Sequence, residues 1–316
     1  MYRLSAKIVI NSEKRWEFNQ ISSVRVERGM DSLTQTCTLT LPRRLRWDGQ
    51  TVVPLRRGDE VKVWLGYDDR LELGFQGYIR QVGVKTPVII ECEDEMYQMK
   101  LLPAVRKAYR SVTLRQLLED QGTGCRLRIM GEQSLGQYRV QAQTVAQLLD
   151  DLGKQGIKSF FRYEGSGPVL YSGVLFDHDK RPKQVFRTGQ NIISDQLEQQ
   201  HAEAMRLRVK VVSLMPDNKK NTVEVGDKDG ELRTLHCYNK TKEEARKWGE
   251  QEVKRLRRDG LSGSFTTFGH HLVDVLDPVG MVIDGKRMGI YQVTKNTITF
   301  GTGGYRQELE LGQRVN

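Results

Sequence analysis

Runs in which apolar and polar residues alternate constrain the fold of this 316-residue chain most. The segments SVRVE, TCTLTLP and EVKVWLGY have this pattern, and FQGYIRQVGV and PVIIECED follow them. The residues predicted to face inward in the first three segments are Val24, Val26, Cys37, Leu39, Leu41, Val61, Val63 and Leu65. So many short strands, separated by turns that contain glycine, predict an antiparallel barrel or sandwich.

The alternating pattern returns after Phe186, in RLRVKVV, NTVEVGD, GMVID, GIYQVT and YRQELELG. The turn segment PLRRGDEVKV matches VLDPVGMVID, and GYIRQV matches GIYQV in the same order. In this alignment Leu55 matches Leu276, and Val61 matches Val282. The matched order predicts that the two β regions are duplicates with similar barrel folds.

One amphipathic helix, TKEEARKWGEQEVKRLRRDG, interrupts the second β region. Thr241 and Glu244 have the spacing of a capping box, and basic residues crowd the end of the helix. Trp248 lies on its apolar face. We therefore expect residues 241–259 to form a helix on the second barrel, with Trp248 buried beneath it.

A shorter repeat lies between the β regions, as TLRQLLEDQG at 113–122 and TVAQLLDDLG at 144–153. Each copy begins with Thr followed by Gln three residues later, which predicts two capped helices. Gly122 and Gly153 are expected in left-handed conformations where those helices end. A strand-like segment follows each copy, CRLRI and then IKSFFRY. The repeat is predicted to be a packing unit.

These patterns predict a mainly β (α+β) fold of three domains. Residues 1–104 form a first antiparallel β-barrel, 105–185 form an α/β insertion domain, and 186–316 form a second barrel that carries the helix at 241–259.

Charge and hydropathy narrow the class of protein. The net charge of +10 suggests a nucleic-acid partner, but the basic residues are scattered, in PRRLR at 42–46, LRR at 55–57 and KRLRR at 254–258. General solvation or an acidic protein partner is favoured, with Arg255, Arg257 and Arg258 as docking candidates. No apolar run approaches the roughly 18 residues of a membrane span, and no secretory signal is expected. The four cysteines lack metal-site spacing and suit a reducing compartment.

Three segments are candidates for a metal-binding, catalytic or phosphate-binding site. FGHHLVDVLD offers His270, His271, Asp274 and Asp277, but adjacent residues of a strand point to opposite faces, so metal binding is not expected. ECEDE at 91–95 supplies all its carboxylates from one strand end, unlike a catalytic pair across a cleft. FGTGGY at 300–305 is predicted to be a hairpin turn. We predict no catalytic, cofactor-binding or metal residue, and hence no enzyme.

Several segments together resemble the baseplate hub family, also called late control protein D, of contractile phage tails and related injection systems. They are LRRGDEVKVWLGYDD, FQGYIRQVG, IIECEDEMYQMK, FRTGQNIISDQLE, GIYQV and YRQELELG. The turn and strand residues that carry the resemblance and the duplication are Gly58, Asp59, Val61, Phe75, Gly77, Ile79, Leu276, Pro278, Gly280 and Val282.

The resemblance implies a homotrimer in which two barrels per subunit, each like a tail-tube protein, form a pseudo-sixfold ring. Such a ring joins a six-fold tail tube to a three-fold spike. The implied partners are the spike, the tube, other baseplate proteins and the tape-measure protein, with no cofactor. The location is the baseplate, assembled in the bacterial cytoplasm. No spike domain follows Asn316, so a separate spike protein is expected. A tail-associated peptidoglycan hydrolase and a basic nucleic-acid-binding protein remain the alternatives.

Overall fold

The computed structural model describes residues 3–42, 53–83, 85–131, 133–165, 167–174, 181–217 and 219–315. The chain divides into two compact units. Unit 1 comprises Met1–Tyr97, Asp179–Leu197 and Gly263–Asn316, and unit 2 comprises Gln98–His178 and Glu198–Ser262. Strands outnumber helices in both units, which confirms the predicted mainly β class.

Among the described residues, seven strands form the N-terminal part of unit 1, which we call repeat 1. They are β1 (Leu4–Asn11), β2 (Arg15–Phe18), β3 (Ser23–Gly29), β4 (Thr36–Thr40), β5 (Glu60–Tyr67), β6 (Arg70–Val82) and β7 (Ile89–Glu93). Their spatial order is β3-β4-β7-β6-β5-β1-β2, and every neighbouring pair is antiparallel.

The alternating sequence pattern explains how this sheet encloses a core. The eight residues predicted to face inward are all at most 1% exposed. Ile8 of β1 and Val24 of β3 belong to the same core cluster, although four strands separate them in the sheet order. The sheet therefore curls around its apolar face instead of lying flat.

The next stretch of the chain contains the shorter repeat. Its elements are α1 (Met96–Leu101), β8 (Ala108–Thr113), α2 (Leu114–Glu119), β9 (Arg126–Met130), β10 (Ser134–Arg139), α3 (Val145–Lys154), β11 (Lys158–Glu164) and β12 (Gly167–Gly173). Strands β11-β12-β9 form one small sheet, and β10 pairs with β8. Both predicted helix–strand units are present.

The two helix caps differ in detail. Thr113 and Gln116 exchange the two hydrogen bonds of a capping box, as predicted. Thr144 accepts a hydrogen bond from Gln147 N, but the side chain of Gln147 accepts from Gln143 N and not from Thr144. The second box is therefore only half formed.

The predicted helix ends are partly wrong. Gly122 has a positive φ of 59°, as expected of a residue that follows a helix. Gly153 instead lies within α3, and Gly156, with a φ of 86°, follows the helix. The helix end is closed there because Gly156 N donates to Gly153 O at 2.9 Å and Ile157 N donates to Leu152 O at 3.0 Å.

The chain then passes through β13 (Gln184–Arg187) and β14 (Ile192–Gln200) before it forms β15 (Leu207–Leu214), β16 (Lys220–Gly226), β17 (Glu231–Tyr238) and α4 (Lys242–Leu256). The last four elements belong to unit 2, where β16-β15-β17 form a separate sheet. RLRVKVV, NTVEVGD and the helix were predicted to belong to the second barrel, and this prediction is wrong. The apolar face of the small sheet is covered by α4, with Val209, Val211, Ala245 and Val253 in one core cluster.

The remaining strands return to unit 1 as β18 (Gly260–Phe268), β19 (Pro278–Ile283), β20 (Lys286–Gly301) and β21 (Gly304–Arg314). With β13 and β14 they form repeat 2, in the order β14-β18-β21-β20-β19-β13. This order reproduces the order β3-β4-β7-β6-β5 of repeat 1. In repeat 2, β13 pairs with β19 in parallel. Strand β2 of repeat 1 also runs parallel to β5, because both are antiparallel to β1, which lies between them. Within the part of the chain that the structure describes, repeat 2 thus repeats the topology of repeat 1 without a counterpart of β1.

Trp248 is half-buried and not fully buried as predicted. It packs at the edge of the α4 core beside Leu235 and Leu256. The centre of the helix face belongs to the smaller residues Ala245 and Gly249, which allow the helix to approach the sheet closely. Within the described residues, no helix is long and apolar enough to cross a membrane.

Trp248→Ala should lower the free energy of unfolding by about 1–2 kcal/mol, because only part of the indole leaves water on folding. A fully buried tryptophan would cost about 3–5 kcal/mol. Chemical denaturation of the full chain measures the change, with the exposed Arg246→Ala as the control on the outer face of the helix. An unchanged unfolding midpoint would show that α4 does not use this face.

Candidate functional site

The two repeats meet where β3 pairs with the second half of β20. The pairing is antiparallel and runs from Ser23 opposite Gly301 to Gly29 opposite Lys295, through seven residue pairs. We call this contact the repeat junction. It joins both repeats into one 13-stranded sheet.

The hairpin of β20 and β21 also completes the core of repeat 1. Ile298, Phe300 and Tyr305 belong to the same core cluster as Val24 and Val26 of β3. A fully buried side chain of this size stabilises a protein by about 1.5–3 kcal/mol. Repeat 1 therefore depends on residues that lie almost at the other end of the chain.

The predicted motif Gly58-Asp59 forms a tight turn that leads into β5. Gly58 has a φ of 95°, a conformation that favours glycine. Gly58 N donates to Ile79 O at 2.8 Å, and Ile79 N donates to Asp59 O at 2.9 Å. The Asp59 carboxylate accepts from Arg56 N at 2.8 Å and closes the turn.

The same hydrogen bonds recur before β19. Leu276 N donates to Val293 O at 2.9 Å, and Val293 N donates to Asp277 O at 3.1 Å. The Asp277 carboxylate accepts from Asp274 N at 2.7 Å. Leu276 occupies the place of Gly58 with a φ of 72°, which is uncommon for a side chain of this size.

The hydrogen bonds correct the predicted alignment of the repeats. Leu276 was matched with Leu55, and Val61 with Val282. The hydrogen bonds align Gly58 with Leu276 and therefore Val61 with Val279. Both predicted matches are thus wrong by three residues. The cause is that Leu276 adopts the positive-φ conformation that Gly58 has in repeat 1. Its leucine side chain therefore matched Leu55 in the sequence, although its backbone matches Gly58.

The other motif residues are strand residues of the two repeats. Val61, Phe75 and Ile79 are buried in the core of repeat 1, and Gly77 is also buried. A Cβ on Gly77 would lie 2.1 Å from Glu93 O, so glycine allows β7 to approach β6 there. Pro278, Gly280 and Val282 are buried in β19.

A buried amide that the sequence analysis did not single out holds the segment before the second turn. Gln307 is fully buried; its Oε1 accepts from Val273 N at 3.0 Å, and its Nε2 donates to Phe268 O at 3.1 Å. Asn296, also fully buried, donates to Gln307 Oε1. The signal was available, because Gln307 interrupts the inward-facing apolar series of YRQELELG.

Arg28 provides a second unpredicted contact across the junction. This buried guanidinium of β3 lies 3.3 Å from the Asp274 carboxylate of the second turn. It also donates to Gly74 O of β6. One cation therefore links repeat 1 to the turn of repeat 2.

The FGHH segment is held by backbone contacts and shows no metal geometry. His271 N and Leu272 N donate to the Glu72 carboxylate at 3.3 and 2.9 Å. Partial burial and the neighbouring His271 lower the pKa of His270. No group of three or more His, Cys, Asp or Glu side chains in the described ranges could hold a metal ion.

The other segments weighed as chemical sites have structural contacts. Arg80 pairs with Glu91 and lies 3.7 Å from Glu93. Burial raises the pKa of Glu95. FGTGGY forms the tip of the β20–β21 hairpin, where Gly301 pairs with Gly304, as predicted.

The cysteine thiols are packing groups. Cys37 and Cys92 are buried opposite each other on β4 and β7, and burial raises the pKa of both thiols. Cys237 is also buried, Cys125 is half-buried, and none of the four cysteines forms a disulfide.

The arginines predicted to dock a partner are largely engaged within unit 2. Arg255 Nε donates to the Glu252 carboxylate at 2.8 Å, and Arg257 pairs with Asp227. Arg258 is exposed. The other predicted basic cluster, at 42–46, lies outside the described residues beyond Pro42. The docking role stays a prediction.

Comparison with known proteins gives matches in structure alone. No protein-family model matches the sequence. No curated protein matches it either. The 43 kDa tail protein of prophage MuSo2 from Shewanella oneidensis is 16% identical and has a TM-score of 0.61, over 97% of this chain and 98% of its own. A tail protein from Neisseria meningitidis MC58 is 13% identical with a TM-score of 0.67, over 98% and 96% of the two chains.

The chain has a phage tail-protein fold. The resemblance inferred from the sequence is thus confirmed at the level of the fold. The same fold extends to the E. coli c3393 protein, a component of the type VI secretion system. That protein is 9% identical, with a TM-score of 0.54 over 94% of this chain and 74% of its own.

Gln307→Met should destabilise this tail-protein fold by about 3 kcal/mol, because it leaves several buried backbone groups without their partner. Thermal and chemical unfolding of the full chain measure the loss. Gln190→Met, at an exposed turn, is the matched control and should change little. Equal stability of the two variants would contradict the role assigned to the buried amide.

The two aspartates that close the equivalent turns should differ in importance. Asp277→Ala should cost about 3 kcal/mol, since the buried carboxylate also accepts from Lys183 Nζ at 2.6 Å. Asp59→Ala should cost about 1 kcal/mol, because its single backbone hydrogen bond is exposed. Unfolding free energies of the two variants decide the order, and a larger loss for Asp59→Ala would refute it.

Proposed function

We propose that this chain is a structural baseplate hub protein of a phage tail or of a contractile injection system. Three copies form a ring of six β repeats that joins a six-fold tail tube to a three-fold central spike. The proposal rests on one observation: two repeats with matching strand order are paired edge to edge in a single sheet. Two repeats in each of three chains give six similar modules around one axis.

The similarity to tail proteins supports the proposed setting. Two of the similar structures are phage or bacterial tail proteins, and a third is a component of the type VI secretion system. The proposed partners are a spike protein, the tail tube protein, the tape-measure protein and other baseplate proteins. The proposed location is the baseplate, with assembly in the bacterial cytoplasm.

The alternative functions gain no support from the described residues. The hydrolase alternative would use carboxylates such as Glu91, which is engaged with Arg80. The nucleic-acid alternative would use a coherent basic face, but Arg255 and Arg257 already bond to acidic side chains. We also propose that the basic cluster binds an acidic tail protein outside the channel of the ring, chiefly through the exposed Arg258.

Sedimentation of the purified chain, alone and with its spike, should give a particle with three copies of this chain. Electron microscopy of that particle should show a ring of six similar lobes, because each chain contributes two repeats. In a reconstruction, Arg255, Arg257 and Arg258 should lie away from the channel, where they cannot retain a polyanion.

A chain that stays monomeric in the presence of the spike would refute the ring. A reconstruction with those arginines in the channel would refute only their placement. Binding of duplex DNA that weakens steeply with salt would favour the nucleic-acid alternative.

A further inference from the structure

Strand β14 is the counterpart of β3, yet the two differ sharply in exposure. Both begin the strand order of their repeat. In β3, Val24 and Val26 are buried beneath the β20–β21 hairpin. In β14 most residues are exposed, and Ile193 is 44% exposed. Along the described sheet, β14 pairs with β18 and forms one edge.

The strand order indicates which strand would pair with the edge strand β14. Strand β3, the counterpart of β14, pairs with β20. In the repeated order, β20 corresponds to β6. Along one edge of β20, residues 286–292 pair with β19 and residues 295–301 pair with β3. Strand β6 pairs with β5 only as far as Tyr78, and a turn hydrogen bond reaches Ile79. From Arg80 to Val82, the strand pairing recorded for β6 is with β7 alone.

We propose that β14 of one copy pairs with residues 80–82 of β6 in a second copy of this chain. The pairing is antiparallel and repeats between chains the contact that β3 and β20 make within one chain. The inference rests on the proposed ring and names the surfaces through which it closes. The contact is heterologous, because a different edge of each chain takes part, and such contacts close into rings.

Exposed apolar residues identify the same two surfaces independently. Among the described residues of unit 1, the large hydrophobic side chains recorded as exposed are Ile89, at 43%, and Ile193. Ile193 lies on β14, and Ile89 begins β7 beside the end of β6. Exposed apolar groups on a strand edge favour association with another strand.

Charge is complementary across the proposed contact. Lys85 is exposed on the β6–β7 hairpin, and Asp195 is exposed on β14. The β6–β7 hairpin is also shorter than its counterpart, since β6 ends at Val82 whereas β20 continues to Gly301. The contact between chains is therefore smaller than the junction within the chain, and one substitution should suffice to break it.

The first test measures the mass of the full chain by sedimentation velocity. Ile193→Lys and Ile89→Lys should each convert the three-copy particle to monomers, whereas circular dichroism stays unchanged because both side chains are exposed. Leu232→Lys is the matched control. Leu232 is 47% exposed on β17 of unit 2, and this variant should remain a trimer.

The second test uses a short bis-maleimide cross-linker on a Cys125→Ser background, which removes the half-buried thiol. Ile193→Cys and Val82→Cys chains should cross-link when mixed, but neither should cross-link alone. A chain with both changes should form covalent species that stop at three copies. Cross-linking within either single variant would overturn the heterologous pairing.

The outcomes separate this inference from the proposed function. A trimeric wild type whose mass survives both lysine substitutions overturns the edge pairing and leaves the ring standing. A wild-type chain that stays monomeric at high concentration and in the presence of the spike, and gives no cross-link in the mixture, overturns both.

Discussion

The backbone pairing of β3 with β20 is the contact on which unit 1 depends. It joins Ser23 to Gly301, so the chain between them forms one large loop. The entropy cost of closing a loop grows only slowly with its length. The junction can therefore form although both segments of unit 2 lie between β3 and β20 in the sequence. In return, Phe300 and Tyr305 enter a core that the N-terminal strands alone would leave open.

The duplication is preserved in the backbone and not in the side chains. Gly58 and Leu276 hold the same turn with the same two hydrogen bonds, although one residue has no side chain and the other has a large one. Arg28, which reaches Asp274, reinforces the contact between the repeats. Since hydrogen-bonding geometry constrains the backbone and leaves side chains free to change, solved structures can match this chain where sequence comparisons find nothing.

The local pattern of apolar residues predicted well which side chains are buried, but it predicted poorly which elements pack together. The alternation around Val24 and Val63 identified the strands of repeat 1, because a period of two fixes which side chains share a face. The same alternation at Val209 gave a buried strand but could not say which sheet it joins. The helix at 241–259 was misplaced for the same reason, since amphipathicity reveals an apolar face and not the surface that covers it. Gln307 was missed because its partners are backbone groups distant in sequence.

The unequal copy numbers of the β repeat and of unit 2 would allow the proposed ring to meet two symmetries. Each chain contains two copies of the β repeat but only one copy of unit 2. In a ring of three chains, the repeats occur six times and unit 2 occurs three times. A six-fold partner can therefore bind features common to both repeats, such as their matching turns. A three-fold partner can bind features that only one repeat or unit 2 provides, such as the exposed Arg258 just beyond α4. Divergence between the repeats adds further three-fold features, because identical repeats would present the same surface at all six positions.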